Sequence, residues 1–428
     1  MRVGFAEVEI TPPVGVELSG YVARLGPSVG VHDPLFGRAL VLDDGERRAA
    51  LLVCDLLGMD RSTVAQVRQE VGAAIGAAPE AVMVACTHTH AGPATFFLHK
   101  CGEVDAAYVE LLPTRLRRAA VAAAGALQPV RVAVGEGALP AGAHNRRGAE
   151  TAPDTSVGVA LLTDEEGAPL ITAMAYGCHP VTMRHDNRLI SADYPGAAVR
   201  AVAEALGGQG LFLTGASGDV NPVQRNSFEA VDELGRAVAG EAARVARSLA
   251  PAAPSRLMMR REVLALPLLP ALGVVELEAR LETYREELRQ ARAGDDPVRV
   301  RTAEAMVGWA RHMAARLASG AVPTTAEVEV QALALGPWIL VGVAGELFSG
   351  LGARIKAAGE GQPIFVVGYA NGDVGYIPDR AAYEAGGYEV SDAYKYYDAP
   401  AAPAPEAGEM VVAAGRRMVR SLLNEGAR

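Results

Sequence analysis

Apolar segments of strand length alternate with segments of helix length along the first half of the chain, and this alternation constrains the fold most strongly. The first strand-like segments are residues 38–43, 49–54 and 81–86, and helical spacing marks residues 61–75 and 106–124. The same patterns predict further strands at 130–135, 157–163, 170–177, 210–214 and 256–266, and helices at 195–206 and 228–248. We therefore predict an α/β fold in which mixed β-sheets are flanked by helices.

The second half interrupts this order once. Residues 268–320 are rich in Glu, Arg, Ala and Leu at helical spacing, with a break at 294–297, and this predicts an inserted antiparallel helix pair. Strand patterns resume at 326–335 and 338–343, and a helix follows from near Leu347. An Ala/Pro-rich linker and an amphipathic helix are predicted within residues 400–428. We interpret residues 1–428 as one elaborated domain with a helical-hairpin insertion.

Composition and charge exclude several classes of protein. Half of the 428 residues are hydrophobic and the net charge is −10 without a long Lys/Arg block, which argues for a globular chain and against nucleic-acid binding. The longest apolar runs, such as 338–344, are far short of the ~20 residues that cross a bilayer. No signal-peptide pattern is present at the N-terminus, so we expect a cytoplasmic protein. The four cysteines lack C-x-x-C pairing and are predicted to be reduced core residues.

The sharpest local motif is Thr87-His88-Thr89-His90, directly after the strand-like segment 81–86. We predict that the strand continues through the motif, so that His88 and His90 project to the same face, where two imidazoles can bind one metal ion. The alternative is a hydrogen-bonded histidine pair at a strand end. The spacing by itself does not separate the role of His88 from that of His90.

Three other segments place polar residues after strand-like segments. His179 follows 170–177 and is equally well explained as a ligand or as a structural residue. Glu346 follows 338–343 and offers a carboxylate ligand, although an acidic residue in the first turn of a helix explains it as well. The Gly-rich loop 214–222 carries Ser217 and Asp219, but a nucleophile elbow requires glycine where Asp219 stands.

Taken in order, these segments resemble the catalytic domain of the neutral, or alkaline non-lysosomal, ceramidase family. The resemblance is carried by residues 4–12 with Gly20-Tyr21, 87–93, Asn145-Arg146, His179-Pro180, 218–222, Gly345-Glu346 and 375–377. It implies a zinc ion held by His88, His179, Glu346 and Tyr376. It also implies that His90 and Arg146 face the substrate.

Two features depart from the family pattern. Asn221 occupies the position where ceramidases usually carry a serine, so we expect attack by metal-activated water and not by a serine nucleophile. The chain ends soon after Leu423, so we expect no C-terminal immunoglobulin-like domain. The resemblance therefore supports the type of reaction more strongly than it supports the identity of the substrate.

The sequence-based hypothesis is a zinc-dependent hydrolase that cleaves an amide bond, of the ceramide-like N-acyl kind, in a small, lipid-like substrate. His90 or Asp219 is predicted to move protons, and Arg146 or Asn221 to stabilise the developing oxyanion. Two alternatives remain at this stage: an esterase or lactonase with the same zinc site, and a non-catalytic zinc- or ligand-binding relative. The acyl chain and the oligomeric state are left open.

Overall fold

The computed structural model describes residues 1–148, 152–254 and 256–426, and the structural statements below refer to these residues. Its strands in chain order are β1 (Arg2–Glu9), β2 (Gly30–Val31), β3 (Phe36–Asp43), β4 (Arg48–Cys54), β5 (Val82–Cys86), β6 (Gln128–Pro129), β7 (Arg131–Ala138), β8 (Ala143–Asn145), β9 (Ser156–Thr163), β10 (Pro169–Tyr176), β11 (Leu189–Ile190), β12 (Gln209–Thr214), β13 (Val220–Pro222), β14 (Leu257–Pro267), β15 (Thr325–Leu335), β16 (Trp338–Val343), β17 (Glu346–Leu347), β18 (Ile364–Val367) and β19 (Tyr376–Ile377). Its α-helices are α1 (Arg61–Ile75), α2 (Ala106–Gly125), α3 (Asp193–Leu206), α4 (Phe228–Ala246), α5 (Val274–Ala293), α6 (Pro297–Ser319), α7 (Ser349–Lys356), α8 (Arg380–Ala385), α9 (Tyr388–Ser391), α10 (Ala393–Tyr396) and α11 (Glu406–Gly426).

Three larger sheets carry the fold. Their strand orders are β5-β4-β3-β1-β6, β12-β10-β9-β7 and β14-β15-β16-β18. Each sheet combines antiparallel pairs with one parallel pair, which is β4–β5 in the first, β10–β12 in the second and β16–β18 in the third. This arrangement confirms the predicted class of mixed sheets flanked by helices.

One face of every larger sheet contributes to a shared central core. Successive residues of a strand point to opposite faces, so Leu40 and Leu42 of β3 lie in the central core while Ala39 and Val41 face the other way. Strands of the second and third sheets add side chains such as Leu211 and Leu340 to the same core. Burial on both faces explains why these strands read as nearly continuous apolar runs.

A pair of helices covers the outer face of each sheet. Helices α1 and α2 pack on the first sheet, α3 and α4 on the second, and α7 and α11 on the third. The predicted helical hairpin is also present, as α5 and α6 between β14 and β15. Its apolar side chains, among them Tyr284 and Trp309, pack against Leu57 and Phe96, in the loops after β4 and β5.

The prediction that a strand carries both His88 and His90 is wrong. Strand β5 ends at Cys86, and His88 has a left-handed φ of 65° that no strand residue adopts. The backbone amide of Thr87 donates to the Cys54 carbonyl and that of His88 to the Leu56 carbonyl, at 2.9 and 2.8 Å. The chain therefore turns away from the sheet to follow the loop after β4.

Other boundaries also differ from the sequence patterns. The helix expected near Leu347 begins at Ser349, because Glu346 and Leu347 form β17 beside β19. Glu346 is therefore not a residue of the first helical turn. The patterns also missed β1, which pairs along its whole length with β3.

The segment predicted as a linker is packed against the end of β14. The Ala404 amide donates to the Pro267 carbonyl at 2.7 Å, and residues 400–404 are buried. The last two residues of the predicted 400–428 unit, Ala427 and Arg428, lie outside the described residues.

None of the described helices combines the length and apolar character that a bilayer span requires. All four cysteines are free and buried, as predicted.

Candidate metal centre

Residues from three different sheets and loops meet at one point. His88 and His90 lie in the loop after β5, His179 lies just after β10, and Glu346 follows β16. Strands β5, β10 and β16 each pair with a parallel neighbour, which is β4, β12 and β18, respectively. In α/β proteins, functional residues lie at the carboxyl ends of such strands. The topology therefore explains why segments up to 258 positions apart supply one site.

The distances between the donor atoms fit one bound cation. The Nε2 atoms of His88, His90 and His179 are 3.0 to 3.3 Å from one another. Oε2 of Glu346 lies 3.5 Å from Nε2 of His88 and 3.7 Å from Nε2 of His179. Ligand atoms around a tetrahedral zinc ion with bonds of 2.0–2.1 Å are roughly 3.3 Å apart. His88, His179 and Glu346 thus have ligand spacing without a rearrangement, and Nε2 of His90 lies close to the two other imidazole nitrogens.

Backbone carbonyls orient two of the imidazoles. Nδ1 of His88 is 2.7 Å from the Leu57 carbonyl oxygen, and Nδ1 of His179 is 3.2 Å from that of Ser217. Protonated Nδ1 atoms that donate to these carbonyls leave both Nε2 atoms free to bind a metal. The Tyr369 ring stacks on the His88 imidazole, with centroids 3.7 Å apart, and holds its plane.

The carboxylate of Glu346 is the feature of the site that is most compatible with a bound cation. Its Oε1 accepts a hydrogen bond from the Tyr397 hydroxyl, whereas the buried Oε2 has no hydrogen-bond partner among the described residues. A buried carboxylate oxygen without a partner is costly unless a cation or a donor compensates it. Two or three imidazoles and one carboxylate suit zinc.

The protonation states of the histidines agree with metal binding. Burial, together with the neighbouring His88 imidazole, holds the pKa values of His90 and His179 well below the usual range. Both rings are therefore neutral at physiological pH, and the neutral ring is the form that ligates a metal.

Arg146 and Tyr376 lie together beside this centre. Tyr376 in β19 is the register partner of Glu346 in β17, which gives the predicted tyrosine ligand a place next to the carboxylate. The Arg146 guanidinium lies 5.3 Å from the centroid of the Tyr376 ring and donates to Glu389 and to the Gly218 carbonyl, at 2.9 and 2.8 Å. Burial raises the pKa of the Tyr376 phenol well above its usual value, so it stays neutral in the absence of a metal.

The loop 214–222 contributes residues of two kinds. Both carboxylate oxygens of Asp219 are occupied, because Asn145 and Ser349 donate to them at 2.7 to 3.0 Å. By contrast, the buried Oδ1 of Asn221 has no hydrogen-bond partner among the described residues. Asp219 thus holds this loop against α7.

The two hydroxyls of this loop are already engaged. The Thr214 hydroxyl donates to the Thr87 carbonyl at 2.7 Å, and Oγ of Ser217 lies 3.0 Å from the Tyr369 hydroxyl. No imidazole is hydrogen-bonded to either hydroxyl in the described part of the chain. This loop therefore lacks the base that activates a serine or threonine nucleophile.

A cavity of about 280 Å³ adjoins the centre. Two of its wall residues, Tyr376 and Tyr397, neighbour Glu346, and its other walls include Phe96, Phe97, Leu268, Val374, Tyr394, Pro400 and Pro403. Asp373 also lines it, with a buried Oδ2 that has no partner among the described residues. Burial and the nearby Glu346 charge raise the pKa of Asp373 well above its usual value. The cavity is largely apolar with a few polar groups.

Three residues of this site were not predicted from the sequence: Tyr369, Tyr397 and Asp373. Tyr369 and Asp373 lie in the Gly-rich segment 368–378, which by itself is typical of an ordinary loop. Residues 394–397 contain three of the chain's 12 tyrosines, and this concentration is a signal that could have pointed to Tyr397.

Comparisons with known proteins agree with this architecture. A family model described as neutral/alkaline non-lysosomal ceramidase, N-terminal, matches residues 1–222. The fold matches the crystal structure of neutral ceramidase from Pseudomonas aeruginosa with a TM-score of 0.74 and 21% identity, over 99% of this chain and 74% of that chain. A structure described as a ceramidase complexed with C2 matches with a TM-score of 0.74 and 20% identity, over 99% of this chain and 75% of that chain. Because the family model covers more than half of the 428 residues, the chain belongs to the neutral/alkaline non-lysosomal ceramidase family.

Proposed function

We propose that this protein is a zinc-dependent hydrolase that cleaves the amide bond of a ceramide-like N-acyl substrate. The observation that carries the proposal is the mutual approach of three imidazole Nε2 atoms, two of which lie 3.5 and 3.7 Å from a buried carboxylate oxygen that has no hydrogen-bond partner among the described residues. His88, His179 and Glu346, with Tyr376 beside them, would hold the ion. Membership of the ceramidase family supports an amide substrate.

A zinc ion bound here supplies a Lewis acid for the scissile carbonyl and lowers the pKa of water to about 7. The chain's own residues must then orient the substrate and move protons. His90 is the residue best suited to proton transfer, because its ring is neutral and its Nε2 borders the centre. Asp219 is less suited, because donors already occupy both of its oxygens.

Arg146 and Asn221 are the proposed groups for the developing oxyanion. Arg146 is held by Glu389 and the Gly218 carbonyl, so its guanidinium is positioned before the substrate arrives. A donor that is fixed in advance stabilises negative charge without a reorganisation cost. Asn221 would contribute its side-chain NH2 group, because an oxyanion needs a hydrogen-bond donor and the amide oxygen is only an acceptor.

The adjoining cavity supports an acyl group as part of the substrate. Its walls supply apolar and aromatic side chains such as Phe96 and Val374, and pockets of this kind bury acyl chains through the hydrophobic effect. Asp373 and Tyr397 add polar groups near the metal centre, where the amide would lie.

The test is a turnover assay on protein that has been stripped with a chelator and then reloaded with zinc. The substrates are an N-acyl amide of the ceramide type and a matched ester with the same acyl chain. We expect amide hydrolysis that depends on the added zinc. Ester cleavage alone would assign the site to an esterase or lactonase, and zinc binding without turnover of either substrate would contradict a hydrolase.

A further inference from the structure

A second group of metal-ligating side chains lies outside the centre described above. It consists of His99, in the loop after β5, His312 in helix α6 of the hairpin, and Asp398, just after α10. Nε2 of His99 is 2.8 Å from Oδ1 of Asp398, and Nδ1 of His312 is 3.2 Å from the same oxygen. Three ligand atoms of two types therefore converge on one point.

The surroundings leave this point accessible to an ion. The Arg316 guanidinium donates to Oδ2 of Asp398 at 2.6 Å, so Oδ1 remains directed at the two imidazoles. The His312 side chain is 52% exposed, which opens one side to solvent, whereas His99 is buried. The Phe97 ring packs against both imidazoles and shields another side. The arrangement offers three protein ligands and room for water as a fourth.

We propose that His99, His312 and Asp398 form a second, outer binding site for a borderline divalent cation of the zinc type. Two imidazoles and one carboxylate with an open position are a donor set that zinc accepts, whereas calcium and magnesium favour oxygen ligands. This inference goes beyond the proposed function, because none of the three residues belongs to the inner centre.

An ion at the outer site would join three segments that are far apart in sequence. One ligand comes from the cavity loop that carries Phe96 and Phe97, and one from the helical hairpin. The third, Asp398, directly follows Tyr397, whose hydroxyl donates to Glu346. The outer ion would therefore hold the hairpin against the segment that orients a ligand of the inner centre.

The experiment is a zinc titration of the full chain after chelator treatment, with bound metal counted by elemental analysis. We expect two zinc equivalents on the unmodified chain. The variant His312→Gln should bind the second equivalent at least about 10-fold more weakly, since it lacks one of three protein ligands. His144→Gln is the matched control, because His144 is also an exposed histidine but lies outside both clusters.

His88→Ala separates this inference from the proposed function. If the outer site exists, His88→Ala retains a zinc equivalent that is lost in the double variant with His312→Gln. If the unmodified chain and His312→Gln bind the same number of ions with the same affinity, the outer site is refuted while the inner centre is unaffected. A rise in melting temperature with the second equivalent, seen in the control and not in His312→Gln, is the second readout.

Discussion

The inner and outer clusters both combine histidines with a carboxylate, yet they differ in how the carboxylate is compensated. In the inner cluster, Oε2 of Glu346 is buried and has no hydrogen-bond partner among the described residues. In the outer cluster, both oxygens of Asp398 are paired, one with two imidazoles and the other with Arg316. We therefore expect the inner cluster to bind a cation, whereas the charge of the outer carboxylate is compensated without one and the outer cluster should bind metal more weakly.

Removal of an inner ligand should have the largest effect. His88→Ala or Glu346→Ala takes away a proposed metal ligand, so we expect loss of the inner metal and a fall in hydrolysis on the order of 1,000-fold, the scale of several kcal/mol of Lewis-acid stabilisation. Elemental analysis and steady-state rates measure both effects. His312→Gln is the comparison variant, and a similar loss of hydrolysis in it would contradict the distinction between the clusters.

His90→Ala should separate the inner histidines by role. We expect the metal to remain and hydrolysis to fall by about 100-fold or more, as for removal of a proton-transfer group. Arg146→Ala should likewise keep the metal. The three Nε2 atoms are equally close, so if His90→Ala strips the ion as fully as His88→Ala does, His90 is a third imidazole ligand and the family-based assignment is wrong.

Asn221→Ala tests the mechanism without a serine nucleophile. If the side-chain amide stabilises the oxyanion, turnover should fall by about 100-fold while metal content is unchanged. Mass spectrometry of enzyme quenched during turnover should detect unmodified protein. An acyl group on Ser217 or Thr214 would overturn attack by water, despite the hydrogen bonds that engage both hydroxyls.

Tyr397→Phe should weaken the inner metal without removing a ligand. The change deletes the hydroxyl that donates to Oε1 of Glu346, and the loss of such a supporting contact lowers metal affinity by about 10- to 100-fold. Competition with a chelator measures the affinity. Tyr383→Phe is the matched control, because the Tyr383 hydroxyl donates to the Pro403 backbone carbonyl and not to a ligand. Equal affinities in the two variants would contradict a role for Tyr397 in orienting Glu346.

Asp398→Asn should have the smallest effect, and it should depend on pH. Although burial opposes the shift, the hydrogen bond from His99 and the Arg316 charge hold the pKa of Asp398 below its usual value. The ionised Asp398 carboxylate therefore contributes fully to the free energy of unfolding when the pH is above the pKa of about 3.9 that this group has in the unfolded chain. The contribution is lost as the pH falls through the lower pKa that the group has in the folded chain.

Urea unfolding without added metal checks this expectation. At pH 7 we expect Asp398→Asn to lower the free energy of unfolding by about 1 to 2 kcal/mol relative to the unmodified chain. The difference should shrink as the pH is lowered below about 4. A difference that stays constant from pH 7 to the acid range would show that the Asp398 charge does not contribute.

The local pattern of apolar residues predicted most of the secondary structure, because the periods of strands and helices appear in the order of residues that are close together in sequence. Helix α1 and strand β16 have the predicted bounds, and the hairpin breaks where Gly294–Pro297 interrupts the spacing. Strand β1 was not predicted although its residues alternate between apolar and charged, which is a strand pattern.

The candidate site was predictable only in part. Resemblance to the ceramidase family indicated His88, His179 and Glu346, and these side chains do converge. Spacing alone suggested the wrong conformation for the histidine motif, because the left-handed turn at His88 depends on contacts with the loop after β4. The contact of Tyr397 with Glu346 and the outer cluster could not be deduced, since they join residues that are 51 to 299 positions apart. The sequence by itself determined the secondary-structure elements and the types of metal-ligating side chain that are available. Tertiary packing decided which of these side chains meet, because residues distant in sequence become neighbours only when the three sheets pack around their common core.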